Sequence, residues 1–367
     1  ILDADSLLPD LTMHQLLTIG ISGNTCNRSV GFVQSVLLSR NDNESSVSYA
    51  LSLTDELYYR AYFKVKASFG VVSNFGHGVL VSREAWQATK GFPLEISEDL
   101  AWANKLALTG KFINYYAECH TFEGKPINWR ALKVQRDRWA KGTTLLLKKQ
   151  LLPIWKAKNL RFSEKMDLSY DMMSYAYNAV GCLIPILFMG SGVLGPDGVI
   201  VFKTLIPIFY FSLLIDNILL PLCSLRMALD GDVKKAWKIL KAVPMASIYI
   251  GGISSQIFSS VGKAMVFGRF LFQITPKFNT IKHERFWSIV NDNKACYVLF
   301  LINGSVAISA WQFYPPIVPL LAISPICYFL APILGSRPTK TANGFGINVI
   351  IFRLTKWYSG RAKRARR

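Results

Sequence analysis

A chain of 367 residues that is 51% hydrophobic and carries a formal charge of +19 does not have the composition of an ordinary soluble domain. Its basic residues lie between apolar stretches and at the tail, the pattern of cytoplasmic membrane loops, and this placement argues against nucleic acid as the partner. The six cysteines, Cys26, Cys119, Cys182, Cys223, Cys296 and Cys327, show no CxxC spacing, which excludes a disulfide framework and a zinc site.

The chain opens on Ile1-Leu2-Asp3-Ala4-Asp5, which reads as the end of a buried strand running into an acidic loop. Domains seldom begin at such a point, so an N-terminal portion is expected to precede it. Val30 to Leu38 is a short apolar, β-rich run, and residues 51–67 carry apolar positions at helical spacing. Leu100, Trp102, Ala103, Leu106 and Ala107 are spaced for one helix face, with Ser97 as N-cap and Gly110 as stop. Phe112 to Tyr116 reads as a strand. Strands alternating with helices predict an α/β domain over residues 1–165 with a largely parallel sheet.

Beyond it the apolar stretches approach the ~20 residues that cross a bilayer. Residues 166–340 are read as a transmembrane domain with spans at about 172–195, 199–223, 295–313 and 316–335. The stretch 243–267, with Pro244, Gly251, Gly252 and Lys263, is expected to be re-entrant or interfacial. Its basic flanks then share one side with the catalytic domain and the tail. Residues 268–290 form a cytosolic loop, and 341–367 form a basic cytosolic tail whose 344–358 segment suits an interfacial amphipathic helix.

Four motifs carry chemistry. Asp3-Ala4-Asp5 presents two hard carboxylates to a divalent cation, or is a solvated acidic loop. Ser97-Glu98-Asp99 supplies a general base, or acids that favour a helix start. Gln135-Arg136-Asp137-Arg138-Trp139 offers a guanidinium fork for a diphosphate and a flat indole for a sugar, or is a surface helix with a buried Trp. Phe272-Gln273-Ile274-Thr275-Pro276-Lys277 is by itself a juxtamembrane turn.

In order and spacing these motifs resemble the membrane family-2 glycosyltransferases that include cellulose, chitin and hyaluronan synthases. The fourth stretch looks like the gating loop of cellulose synthases, Phe-x-Val-Thr-x-Lys, with Ile274 in place of Val. Gly76-His77-Gly78 followed by Gly91-Phe92 looks like the family's acceptor-site segment. The Gly-His pair, with Glu123 and Pro126, is also similar to periplasmic glucan synthases.

The resemblance implies a glycosyltransferase-A-like α/β cytosolic domain, its N-terminal part missing, followed by α-helical membrane spans. It implies transfer from a nucleotide sugar, expected to be a UDP-hexose, to a growing β-linked polysaccharide exported across the plasma membrane. Asp3 and Asp5 would hold Mg²⁺ or Mn²⁺. Asp99 would be the base, with Glu98 supporting it. Gly76, His77, Gln135, Arg138, Trp139, Thr275 and Lys277 would bind substrate. Asp216, inside an apolar span, either lines the glycan path or bonds a neighbouring helix. The alternative activity is a non-processive transferase adding one sugar to a lipid or protein acceptor. The sugar, the linkage and the oligomeric state are left open.

Overall fold

A computed structural model describes residues 1–3, 6–25, 27–59, 63–68, 72–193, 231–268, 270, 286–313 and 318–336. A three-stranded sheet forms its centre, in the order β2-β1-β3. The middle strand, β1 (Ser29–Ser39), is buried along almost its whole length, as expected for an apolar run covered on both faces. It pairs in parallel with β3 (Phe112–Glu123), in a register running from Ser29 opposite Phe112 to Ser39 opposite Glu123. It pairs antiparallel with β2 (Val79–Val81), Gln34 standing opposite Val79.

The sheet is therefore mixed, not largely parallel. Gly76 and Gly78 both have positive φ, +83° and +61°, and the chain reverses there so that β2 runs against β1. A Cβ on Gly78 would stand 2.3 Å from Thr121 Oγ1 and 2.6 Å from Ser35 Oγ, so no other residue fits this turn without displacing the sheet.

Residues 1–3 also depart from expectation. Ile1 exchanges two backbone hydrogen bonds with Val79, but Ile1 and Leu2 are exposed and no regular strand forms.

Helices cover both faces of the sheet. On one side α1 (Asp10–Ser22) buries Leu16 against Val30, Val33, Ala117 and Cys119. On the other, α5 (Glu98–Thr109) buries Trp102 and Leu106 against Phe32, Val36 and Leu37. Between them in sequence lie α2 (Ser46–Leu57), α3 (Phe63–Ser68) and α4 (Arg83–Thr89). The 51–67 stretch of helical spacing holds α2, which begins earlier at a Ser45–Ser48 capping box, and α3, with residues 60–62 outside the described residues.

Gly110 ends α5 in the left-handed conformation, as expected. Ser97 stands at the N-cap position, its carbonyl accepting from Ala101 N at 3.0 Å, but its side chain makes no cap hydrogen bond and Ser97 Oγ faces the next long helix instead.

That helix, α6 (Trp129–Lys156), joins the sheet layer to a helical layer. The layer contains α7 (Phe162–Val193), α8 (Val233–Val266), α9 (Phe286–Asp292), α10 (Lys294–Phe313) and α11 (Val318–Gly335). One apolar cluster runs through it, from Val47 of α2 through Trp129 and Leu132 of α6 to Tyr249, Ile253 and Tyr328. The 243–267 segment lies almost entirely within the continuous 34-residue α8, despite Pro244 inside it. Among the described residues no helix is long and apolar enough to cross a membrane. The expected span 199–223 with Asp216, the loop residues Thr275 and Lys277, and the tail lie outside the described residues, as does Asp5.

Candidate active site

Gln34, fully buried in β1, builds the centre of the site. Its Nε2 donates to His77 O at 2.9 Å and its Oε1 accepts from Phe75 N at 3.1 Å, so the central strand holds the Gly76-His77-Gly78 loop from below. Ser35 Oγ adds a bond to Gly78 O at 2.7 Å. Two groups of predicted residues meet on this loop, at neighbouring positions.

The first group forms around Gly76. A Cβ placed there would lie 3.2 Å from Asp99 Oδ2, so the glycine backbone is packed against that carboxylate. Asp99 stands in the first turn of α5, with Oδ1 accepting from Leu100 N at 2.7 Å. Burial pushes its pKa up to about 6, and the Glu98 charge adds to the rise. The Leu100 N–H and the positive charge of Arg138 oppose it. A carboxylate poised near neutrality is suited to taking a proton.

The α6 helix brings Arg138 to this carboxylate by a close approach. A Cβ on Gly142 would stand 2.1 Å from Ser97 Oγ, so the Gln-x-x-Arg-Trp helix and the Ser-Glu-Asp turn touch at a glycine. Within the pentad the residues divide their tasks. Gln135 is buried. Arg136 lies over the Trp139 ring at 4.6 Å and donates to Tyr175 Oη at 3.1 Å, so one indole face is already covered. Asp137 accepts from Ser260 Oγ at 2.6 Å and Gln256 Nε2 at 3.2 Å, and pairs with Lys141 at 2.6 Å, which ties α6 to α8.

The second group forms around His77. Among the described residues, ligand atoms of Asp3, His77 and Glu123 lie within 4.8 Å of one another. His77 Nε2 is 3.0 Å from Glu123 Oε2. The other Glu123 oxygen is 2.5 Å from Lys125 Nζ, which is also 2.5 Å from Asp55 Oδ2. Burial alone would raise the Glu123 carboxyl, but Lys125 and His77 beside it hold it well below the usual range. Burial would likewise lower Lys125, but Asp55 and Glu123 outweigh that and raise it.

Two carboxylates and an imidazole form a donor set of a kind that could hold a divalent cation, and Asp3 is one of the three. His77, expected on the acceptor side, joins the cation group. Lys125 and Asp55 had no sequence signal of their own. Glu123 was visible only through its spacing to Pro126.

The family model described as glycosyl transferase family group 2 matches residues 1–227, more than half of the chain. At a stringent threshold no curated protein matches.

Proposed function

The chain belongs to glycosyl transferase family group 2 and is a glycosyltransferase, and from that premise we propose that it builds a β-linked polysaccharide processively by inverting transfer from a UDP-hexose, coupled to export across the plasma membrane. The observation that carries the chemical part is Asp99, packed against Gly76 with a pKa near 6 and the Arg138 charge beside it.

Asp99 takes the proton from the acceptor hydroxyl as that oxygen attacks the anomeric carbon. The bond to the nucleoside diphosphate breaks on the opposite side, so an α-linked donor gives a β-linked product. Arg138 stabilises the negative charge that gathers on the leaving group, and Lys277 would add positive charge there. Glu98 supports Asp99 from the preceding position. Trp139, with Arg136 fixing one face, presents the other to the acceptor sugar, and Gln135 joins it in binding substrate. Asp3, with Asp5 and the His77–Glu123 pair, would hold a divalent ion, Mg²⁺ or Mn²⁺, which supplies charge neutralisation at the diphosphate.

The membrane reading rests on the outer surface of the helical layer. On α7, Phe162, Met166, Tyr170, Tyr177 and Val180 are all about half exposed or more, and their spacing puts them on one stripe. Trp237, Trp287, Leu301, Ile308 and Ile326 are exposed on the other helices of the layer. Such outward apolar and aromatic side chains suit a lipid environment. Because no described helix meets the length and apolarity of a span by itself, the spans proposed at 172–195, 199–223, 295–313 and 316–335 rest on the sequence. Domain 1–165 and tail 341–367 then face the cytosol, and Asp216 lines the glycan path.

Product sizing tests the proposal. Membranes containing the protein are given radiolabelled UDP-glucose, UDP-N-acetylglucosamine or UDP-glucuronate. Alkali-resistant membrane association and a long labelled polymer are expected. A single added sugar would end the processive reading, and release of the protein by alkali would end the membrane one.

A further inference from the structure

We propose that Asp137 is a positioning residue for the transfer site: by its bonds to α8 it fixes the rotation of α6 that aims Arg138 and Trp139. It occupies one of the two unspecified positions of the Gln-x-x-Arg-Trp motif, so the motif itself assigns it no task. The proposal rests on the glycosyltransferase reading for what Arg138 and Trp139 do; the contacts that hold α6 do not depend on it.

Both carboxylate oxygens of Asp137 are engaged. Oδ1 accepts from Ser260 Oγ at 2.6 Å and from Gln256 Nε2 at 3.2 Å, and Oδ2 accepts from the Lys141 ammonium at 2.6 Å. Ser260 is fully buried. The Asp137 and Lys141 side chains are only 14% and 16% exposed. Hydrogen bonds to a charged oxygen are shorter and stronger than neutral ones, and a desolvated charge left without its partners is costly. A carboxylate met by three donors from two helices therefore favours one arrangement of those helices.

Two lysines of α6 extend the contact. Lys141 and Lys148 stand about one and about three turns after Asp137, on the same stripe of the helix. Lys148 Nζ donates to Met265 O at 2.9 Å, one of the end carbonyls that α8 leaves unpaired. Lys141 Nζ lies 4.9 Å from the centre of the Phe270 ring, just beyond the end of α8. The two helices are thus fixed to each other at points from Gln256 to Phe270.

Arg138 projects between two anchors of α6. It stands about 100° round the helix from Asp137, and Gly142, which packs against Ser97, stands about 140° round it. One side of the helix is held by α8 and the next by the turn that carries Asp99. Without the Asp137 bonds the Gly142 contact becomes a pivot, about which the guanidinium and the indole turn together relative to Asp99. Asp137 acts only through this placement, because its carboxylate is taken up by donors of α6 and α8.

The test uses the full chain in detergent, with radiolabelled UDP-glucose, UDP-N-acetylglucosamine and UDP-glucuronate as donors, and amide hydrogen exchange read by mass spectrometry. Asp137→Ala should lose about tenfold to a hundredfold in kcat while donor KM stays within about twofold. Exchange should quicken in residues 137–142 and 256–260. Asp137→Asn keeps an oxygen that accepts from Ser260 and Gln256, so it should hold kcat within about threefold of wild type and leave exchange unchanged. Ser260→Ala should lower kcat in the same direction, and adding it to Asp137→Ala should lower kcat no further, because both remove one bond. A merely structural role would lower the melting temperature and leave kcat per folded molecule alone. Unaltered kcat in Asp137→Ala, or equal losses in Asp137→Asn and Asp137→Ala, overturns the proposal. Failure of all three donors, or undiminished turnover by Asp99→Asn, sinks the transfer reading instead. Exchange then decides alone, and equal exchange in wild type and Asp137→Ala overturns the hold on α6.

Discussion

Gly142 and Ser97 approach so closely that a single methyl group cannot be inserted between them: a Cβ on Gly142 would stand 2.1 Å from Ser97 Oγ and 3.2 Å from Ser97 N. This contact sets the position of the Arg138 helix against the turn that carries Asp99. Gly142→Ala is therefore expected to push α6 away from α5. Overpacking of this kind costs about 1–3 kcal/mol. The displaced guanidinium should cost more in rate, on the order of a hundredfold in kcat. Thermal unfolding and initial rates, measured on the same preparation, check the two effects.

Gly76→Ala should separate strain from chemistry in another way. The residue has φ +83°, and its new Cβ would meet Asp99 Oδ2 at 3.2 Å. The backbone conformation costs an L-residue about 1–2 kcal/mol. The added methyl also displaces the carboxylate proposed to accept the proton. The expected result is a modest fall in melting temperature together with at least a tenfold fall in kcat and little change in donor affinity. Donor binding by calorimetry beside steady-state rates would show it.

Asp99→Asn should lower transfer by about 10²- to 10⁴-fold. In the wild type, activity should fall as the pH drops through about 6, where Asp99 gains its proton. That limb should be missing from the residual activity of the variant.

The same residue makes a stability prediction of opposite sign. Burial raises the folded pKa from 3.8 to about 6, so between these values the folded state holds a proton that the unfolded state has released. Stability therefore falls as pH rises through that window, and the deficit is complete above about 6. Asp99→Asn removes it. The variant should match wild type near pH 4 and exceed it at pH 7.5 by on the order of 1–2 kcal/mol, allowing for partial solvent access. Melting curves at the two pH values test this; equal gaps at both would refute the assigned origin.

Lys125 is buried between Asp55 and Glu123. Lys125→Met leaves two carboxylates without their cation and should destabilise the fold by about 3–5 kcal/mol. Adding Asp55→Asn should recover part of the loss, because the two residues are in contact. A denaturant series of the single and double variants measures the recovery.

Much of the frame was legible in the chain. The β-rich run at 30–38, the apolar face from Leu100 to Ala107 and the stop at Gly110 depend on spacing of two to four residues, and they appear as β1 and α5. The order of Asp3, Asp99 and Arg138 also needed no structure to be seen. Ser97 was placed correctly at the N-cap, but its missing side-chain cap bond was not legible, because the sequence does not show that Gly142 of α6 packs against its hydroxyl.

By itself, then, the sequence determined the element types and the order of the motifs, since periodicity and motif order are local or linear properties. Only the tertiary structure decided which partners Asp3 and Asp99 have. His77 reaches Glu123 because the parallel register of β1 and β3 carries Glu123 to the strand end beside the Gly76–Gly78 turn, and Gln34 holds that turn against the same strands. Those contacts join segments more than forty residues apart. No spacing rule reaches so far, because their geometry is fixed by strand pairing and by glycines that let backbones touch.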